Sequence, residues 1–134
     1  MRVAVQIVLV AVGSALGGLT RWGVSLLVPD VLRRLGLPGL STAFPWATFL
    51  INVSGSFILG FFATLAAERA AIDPLWRLLV ATGFVGAYTT FSTFEYETER
   101  LTESGALTWG IVNILTSVLA GFIAVRLGVI LARR

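Results

Sequence analysis

The residues best suited to chemistry lie close together in one segment, TGFVGAYTTFSTF at residues 82–94. Phe91 and Phe94 are three residues apart, so a helix would place both rings on one face. The edge of a phenyl ring carries a positive partial charge, and Ser92 and Thr93 add hydroxyl donors beside the rings. Such a group could hold a small anion without the full charge that would trap it. The plainer interpretation is a pair of rings packed against lipid or a neighbouring helix.

The same segment predicts a break in a membrane-crossing helix, because glycines and threonines interrupt an otherwise apolar stretch. Backbone that leaves the helix within a membrane must be satisfied by protein, water or an ion. Its free carbonyls could hold a cation, and its free N–H groups could meet an anion. A kinked but continuous helix, with hydroxyls bonded to the preceding turn, is the other interpretation.

A few further polar residues lie within apolar stretches. Asn52 stands alone, whereas Asn113 and Ser117 are four residues apart and share a helix face. Each could form an interhelical hydrogen bond, worth about 0.6 kcal/mol on average, or belong to a line of donors along a pathway. Arg21 could extend to the membrane surface beside Trp22, or it could give a vestibule a positive potential that attracts anions.

The composition excludes several classes of protein. The chain has 134 residues, of which 57% are hydrophobic and 13% charged, whereas a soluble domain carries roughly 25% charged residues. It has no cysteine and no histidine, so it lacks thiol chemistry and the commonest general base near neutral pH. No motif pairs a nucleophile with a base, and the sequence predicts no enzyme. The basic residues are scattered, which argues against binding to nucleic acid.

The apolar residues form four stretches long enough to cross a lipid bilayer, which requires about 20 residues. These stretches cover about residues 3–28, 46–67, 75–98 and 107–131. The sequence therefore predicts an all-α integral membrane protein, with a single four-helix transmembrane domain over residues 1–134. The third predicted helix contains the break.

Arginines are distributed almost evenly over the two sides of this four-helix topology. A weak positive-inside signal permits insertion in both orientations, and two opposed copies would then form an inverted pair. An ordinary single topology fits the same distribution. Because four helices cannot surround much of a pathway, a transport function would suggest an oligomer.

Motifs spread along most of the chain occur together in one known family. They are GGLTRW at 17–22, TFLINVSG at 48–55, Asp73-Pro74, GFVG at 83–86, TTFSTF at 89–94 and Glu97. This combination resembles the CrcB/Fluc family of fluoride ion channels. The chain departs from the family pattern at Ala87 and Tyr88, where glycine and an aliphatic residue are usual.

The resemblance implies an antiparallel, dual-topology homodimer in the bacterial cytoplasmic (inner) membrane, with two separate fluoride pores. Such channels export fluoride passively and relieve its toxicity. The resemblance also implies a structural Na⁺ at the dimer centre, held by main-chain carbonyls at the positions of Gly86 and Thr89.

The site residues follow from the same match, together with the hydroxyl argument for Thr93. The predicted pore-lining residues are Phe91, Phe94, Asn52, Ser92, Thr93, Asn113 and Ser117. Arg21 and Glu97 match the family's arginine and glutamate and are assigned to a vestibule. The predicted partners are fluoride, a second copy of the chain and the lipid bilayer.

Two other functions compete with that of a fluoride channel for a small membrane protein of four helices. A small dual-topology, proton-coupled exporter of drugs or cations also has four helices per subunit, but it requires a carboxylate within the membrane. The first predicted helix has no acidic residue, and the carboxylates of the third lie near its end. A non-transporting accessory protein would not require polar residues in the middle of three helices.

Overall fold

The structure is a computed structural model that describes residues 2–68 and 72–134. Within these residues every regular element is a helix. The elements are α1 (Arg2–Arg34), α2 (Pro38–Ala43), α3 (Trp46–Glu68), a π-helix here named π1 (Arg77–Val85), α4 (Gly86–Tyr88), α5 (Phe91–Glu103) and α6 (Leu107–Ala132). The predicted all-α class is confirmed.

Helices α1, α3 and α6 are long and apolar enough to cross a membrane, with mean hydropathies of 2.0, 1.8 and 2.3 over their most apolar 18 residues. Much of their apolar surface is exposed in the isolated chain, as expected for helices that contact lipid or another subunit. The protein is therefore a multi-pass membrane protein. The third predicted span is divided among π1, α4 and α5, because the helix is interrupted at Thr89 and Thr90.

Helix α1 continues beyond the predicted end of the first span, through Pro29 to Arg34. Proline removes one backbone donor from a helix, yet the helix persists for another turn. Asp30 accepts hydrogen bonds from Arg33 and from Arg34, whose Nε lies 2.6 Å from Asp30 Oδ2. Ion pairs at these spacings stabilise a helical turn by a few tenths of a kcal/mol each and so favour the helical ending of α1.

Helices α3 and α6 run in the same direction and pack closely along their length. The rings of Phe44 and Trp109 are 6.4 Å apart near the start of the pair, and Arg133 Nε donates to Glu68 Oε1 at 2.8 Å near its end. Between these points a Cβ at Gly60 would overlap the Val125 backbone. Small residues of this kind let two helix backbones approach each other in membranes.

Helix α1 also packs closely on π1 through glycines. A Cβ at Gly13 would overlap the Leu79 carbonyl oxygen, and one at Gly17 would overlap the Phe84 carbonyl oxygen. The two glycines thus bring α1 into direct contact with the π-helical backbone. Since π1 leads directly into α4, this contact positions the segment that precedes the break.

We expect Gly17→Ala to lower the free energy of unfolding by about 1–3 kcal/mol, because overpacking against backbone forces the helices apart. The check is the thermal unfolding midpoint of the purified protein in detergent. Gly18→Ala is the matched control, because a Cβ at Gly18 meets no atom within 4 Å. Equal midpoints for the two variants would show that the α1–π1 contact does not constrain the fold.

Candidate functional site

The break in the third predicted membrane span lies between α4 and α5 and consists of two residues with extended backbone. Thr89 has φ −76° and ψ 156°, and Thr90 has φ −151° and ψ 110°. Helix α5 then begins at Phe91, with Thr90 as its N-cap, because Thr90 Oγ1 accepts from the Thr93 N–H at 3.4 Å. Threonine is favoured at this position, where its side chain satisfies an amide that has no helical partner.

Asn52 on α3 holds the break through two hydrogen bonds to one residue. Its Nδ2 donates to the Thr90 carbonyl oxygen at 3.0 Å, and its Oδ1 accepts from the Thr90 N–H at 2.8 Å. The side-chain amide thus replaces a backbone peptide as the partner of Thr90. An amide nitrogen carries two hydrogens, so Asn52 retains one donor beyond this pair.

These bonds leave the Gly86 and Thr89 carbonyls without their helical partners, and the start of α5 at Phe91 does the same for the Ala87 and Tyr88 carbonyls between them. In a continuous helix the Thr90 N–H would donate to the Gly86 carbonyl and the Thr93 N–H to the Thr89 carbonyl. Both amides are instead bonded to side chains. Gly86 and Thr89 are the two residues whose carbonyls were predicted to hold Na⁺, and backbone oxygens freed at a helix break suit that ion.

A cavity of about 250 Å³ opens beside the break. It brings together four of the predicted pore-lining residues: Asn52, Phe91, Phe94 and Ser117. The Phe91 and Phe94 ring centroids are 5.8 Å apart. Phe94 is buried, whereas Phe91 is 70% exposed, so one ring lies within the chain and the other forms the open side of the cavity.

The remaining three predicted pore-lining residues lie elsewhere. Ser92 is exposed at the start of α5, and Thr93 faces a different cavity. Asn113 is 1% exposed. Its Nδ2 donates to Thr98 Oγ1 at 2.8 Å, and its Oδ1 accepts from Ser117 Oγ at 3.2 Å. Asn113 therefore joins α6 to α5 and reaches the cavity at the break only through Ser117.

A second cavity, of about 360 Å³, lies between α1, α3 and α5. Arg21 and Glu97, the two residues assigned to a vestibule, both line it, together with Trp46 and Thr48. Among the residues that the structure describes, the Trp46 Nε1 and Glu97 Oε2 atoms are buried without a hydrogen-bond partner. The arrangement places Arg21 beside a polar space rather than only at the surface.

Sequence reasoning missed some residues of these sites. Thr90 carries the Asn52 contact, and a threonine directly before a helical segment is a recognisable N-cap signal. Thr48 lies one helical turn before Asn52, which places both on one face of α3. The contact between Tyr88 and Ser54, described below, had no signal in the sequence.

Apolar helices that surround an interrupted helix, with a few uncharged polar side chains beside the interruption, define a polytopic membrane protein with polar groups inside its helical bundle. The chain belongs to the CrcB family, because the family model described as "CrcB-like protein, Camphor Resistance (CrcB)" matches residues 8–129. The predicted resemblance is confirmed.

Curated relatives of the chain carry the name "Fluoride-specific ion channel FluC". The relative from Acidobacterium capsulatum is 42% identical over 125 residues, which cover 93% of this chain and 94% of the relative. The relative from Solibacter usitatus is 42% identical over 126 residues, with coverages of 94% and 97%. That from Citrifermentans bemidjiense is 40% identical over 128 residues, with coverages of 96% and 97%.

We expect Asn52→Leu to raise the hydrogen-exchange rate of the Thr90 amide about tenfold or more, because the leucine removes both bonds to Thr90. The check is exchange measured by mass spectrometry on peptides that contain Thr90. Asn113→Leu is the reciprocal control, since it loosens the contact at Thr98 and leaves the break intact. If the two variants change exchange in the same peptides, Asn52 has no specific role at the break.

Proposed function

We propose that this protein is a channel that conducts fluoride passively across the bacterial cytoplasmic membrane and so relieves fluoride toxicity. One observation carries the proposal. A chain that is 42% identical, over nearly its full length, to relatives named as fluoride-specific ion channels also gathers Asn52, Phe91, Phe94 and Ser117 around one cavity. The family supports a channel rather than an enzyme.

The chemistry of the cavity at the break suits a small anion that binds water tightly. A pore for such an ion must replace its water with many weak donors, since conduction requires that the ion can also leave. The positive edges of Phe91 and Phe94 and the second Asn52 N–H are donors of this kind. The Ser117 hydroxyl lines the cavity but already donates its single hydrogen to Asn113 Oδ1. The residues that line the cavity carry no charge, so none would trap the anion.

The wider ion path is part of the same proposal. Arg21 would attract anions into the cavity that it shares with Glu97, and its charge would act before the narrow part of the path. Thr93 lines that cavity, and Ser92 directly precedes Thr93 in the first turn of α5. Asn113 accepts the Ser117 hydroxyl hydrogen, so Ser117 would donate to an ion only by turning away from Asn113.

We propose that two copies assemble as an antiparallel, dual-topology homodimer with two pores, each copy contributing four membrane spans. The interrupted segment from π1 to α5 would be the third span in chain order, in addition to α1, α3 and α6. The exposed ring of Phe91 and the open side of the cavity support this assembly, because a single chain does not enclose the path. The near-even distribution of arginines is compatible with insertion in both orientations.

A structural Na⁺ at the centre of this dimer is also proposed. Within residues 2–68 and 72–134 no three acidic side chains are grouped so that they could hold a metal ion, so a cation would depend on carbonyl oxygens. The Gly86 and Thr89 carbonyls have lost their helical donors, and a twofold axis would bring together the same pair from each copy. The ion would supply only the positive charge that holds these oxygens together.

The alternative, a proton-coupled exporter of drugs or cations, has no support from the relatives, whose name describes an ion channel. It would require an acidic side chain along its path. The cavity at the break has no acidic lining residue, and Glu97 lies in the other cavity together with Arg21.

The test of the proposed function is anion efflux from liposomes that contain the purified protein in Na⁺ buffer. A fluoride electrode and a chloride electrode would record release from parallel samples. Fluoride release without chloride release is the expected result. Absence of fluoride release from folded, reconstituted protein would overturn the proposal, and exchange of protons for cationic substrates would then be measured.

We expect Phe91→Ile and Phe94→Ile to reduce the fluoride efflux rate about three- to tenfold, because isoleucine removes the positive ring edge but fills similar space. Phe122→Ile is the control, since Phe122 is exposed on α6 and lines neither of the two cavities described. Size-exclusion chromatography would verify that each variant retains the oligomeric state of the wild type. Wild-type efflux from both cavity variants would remove the rings from the ion path.

A further inference from the structure

Tyr88, the last residue before the break, is bonded to α3 by its hydroxyl group. Its side chain is buried, with 7% exposure, and its ring stacks on that of Phe84 with centroids 5.7 Å apart. The Tyr88 Oη atom lies 2.9 Å from Ser54 Oγ. Nothing in the proposed ion path uses this contact.

The direction of this hydrogen bond follows from the other contacts of Ser54. Ser54 Oγ lies 2.6 Å from the Leu50 carbonyl oxygen and 3.2 Å from that of Ile51. A carbonyl can only accept, and a serine hydroxyl has a single hydrogen. Ser54 therefore donates to its own helix and accepts from Tyr88, so the tyrosine hydroxyl is the donor.

With Asn52, this bond makes a continuous set of contacts along the break. Ser54 holds Tyr88 and Asn52 holds Thr90, at either end of Thr89. Gly55 contacts the residue between them, because a Cβ at Gly55 would overlap the Thr89 methyl group. One short segment of α3 thus fixes three successive residues of the interrupted helix.

We propose that the Tyr88 hydroxyl is a positioning group that sets the Gly86 and Thr89 carbonyls for Na⁺. This rests on the proposed function. Gly86 begins the single turn that Tyr88 ends, and Thr89 follows Tyr88 directly. Fixing the Tyr88 side chain therefore fixes the peptides on both sides of it.

The expected consequence is a change in apparent Na⁺ affinity rather than in the ion path itself. If the turn is held in one conformation, Na⁺ binds without first having to order it. When the conformation that binds Na⁺ is present in only a fraction of the molecules, the apparent affinity falls in proportion to that fraction. Loss of one hydrogen bond would raise the Na⁺ concentration for half-maximal effect about fivefold.

The experiment uses Tyr88→Phe, which keeps the stacked ring and removes only the hydroxyl. The thermal unfolding midpoint of the detergent-purified protein would be measured while Na⁺ replaces choline, and fluoride efflux from liposomes would be measured over the same Na⁺ series. Ser54→Ala removes the other partner of the bond, and Tyr88→Phe/Ser54→Ala removes both. Tyr96→Phe is the matched control, since Tyr96 is 64% exposed and the same atom is removed.

The expected result is a shift of both Na⁺ titrations to higher concentration in either single variant, with no further shift in the double variant. Efflux at saturating Na⁺ should equal that of the wild type. Unshifted titrations in Tyr88→Phe and Ser54→Ala, or additive shifts in the double variant, would overturn the inference. Failure of the wild type itself to respond to Na⁺ would overturn the proposed Na⁺ site and the inference with it, while selective fluoride efflux by the wild type would still support the channel.

Discussion

The pairing of the Asn52 side chain with the Thr90 backbone is the interaction on which the site depends. A peptide group that leaves a helix inside a membrane has no water to bond with, and each unsatisfied group costs several kcal/mol. Asn52 supplies one donor and one acceptor to the same residue, so the Thr90 peptide groups avoid that cost. The free Gly86 carbonyl and the start of α5 both follow from this exchange of partners.

Close packing by glycine supplies the second constraint. Gly13 and Gly17 place α1 directly on the π1 backbone, and Gly60 places α3 on α6. The interrupted segment is therefore contacted by α1 before the break and by α3 at the break. Two residues of extended chain can keep a fixed position only because neighbouring helices hold the elements on either side of them.

Much of this organisation could be predicted from local sequence. Glycine and threonine in an apolar stretch predicted the interruption, and Asn52 was noted as a lone polar residue in an apolar stretch. Its partner Thr90 is 38 residues away, and only tertiary packing brings the two together. The π-helical geometry next to Gly13 had no local signal for the same reason. The extension of α1 to Arg34 lies beyond the apolar stretch that defined the first predicted span.

The lengths of the helices have a consequence for the surrounding membrane. Helix α1 has 33 residues and is about 50 Å long, whereas α3 has 23 residues and is about 35 Å long, close to the roughly 30 Å of a bilayer's hydrocarbon core. Because α3 carries Asn52, hydrophobic matching of the shorter helix sets the depth of the break. A thicker or thinner bilayer would be accommodated by tilt of α3 or by local deformation of the lipid around it, and the polar site would stay near the middle of α3 in either case.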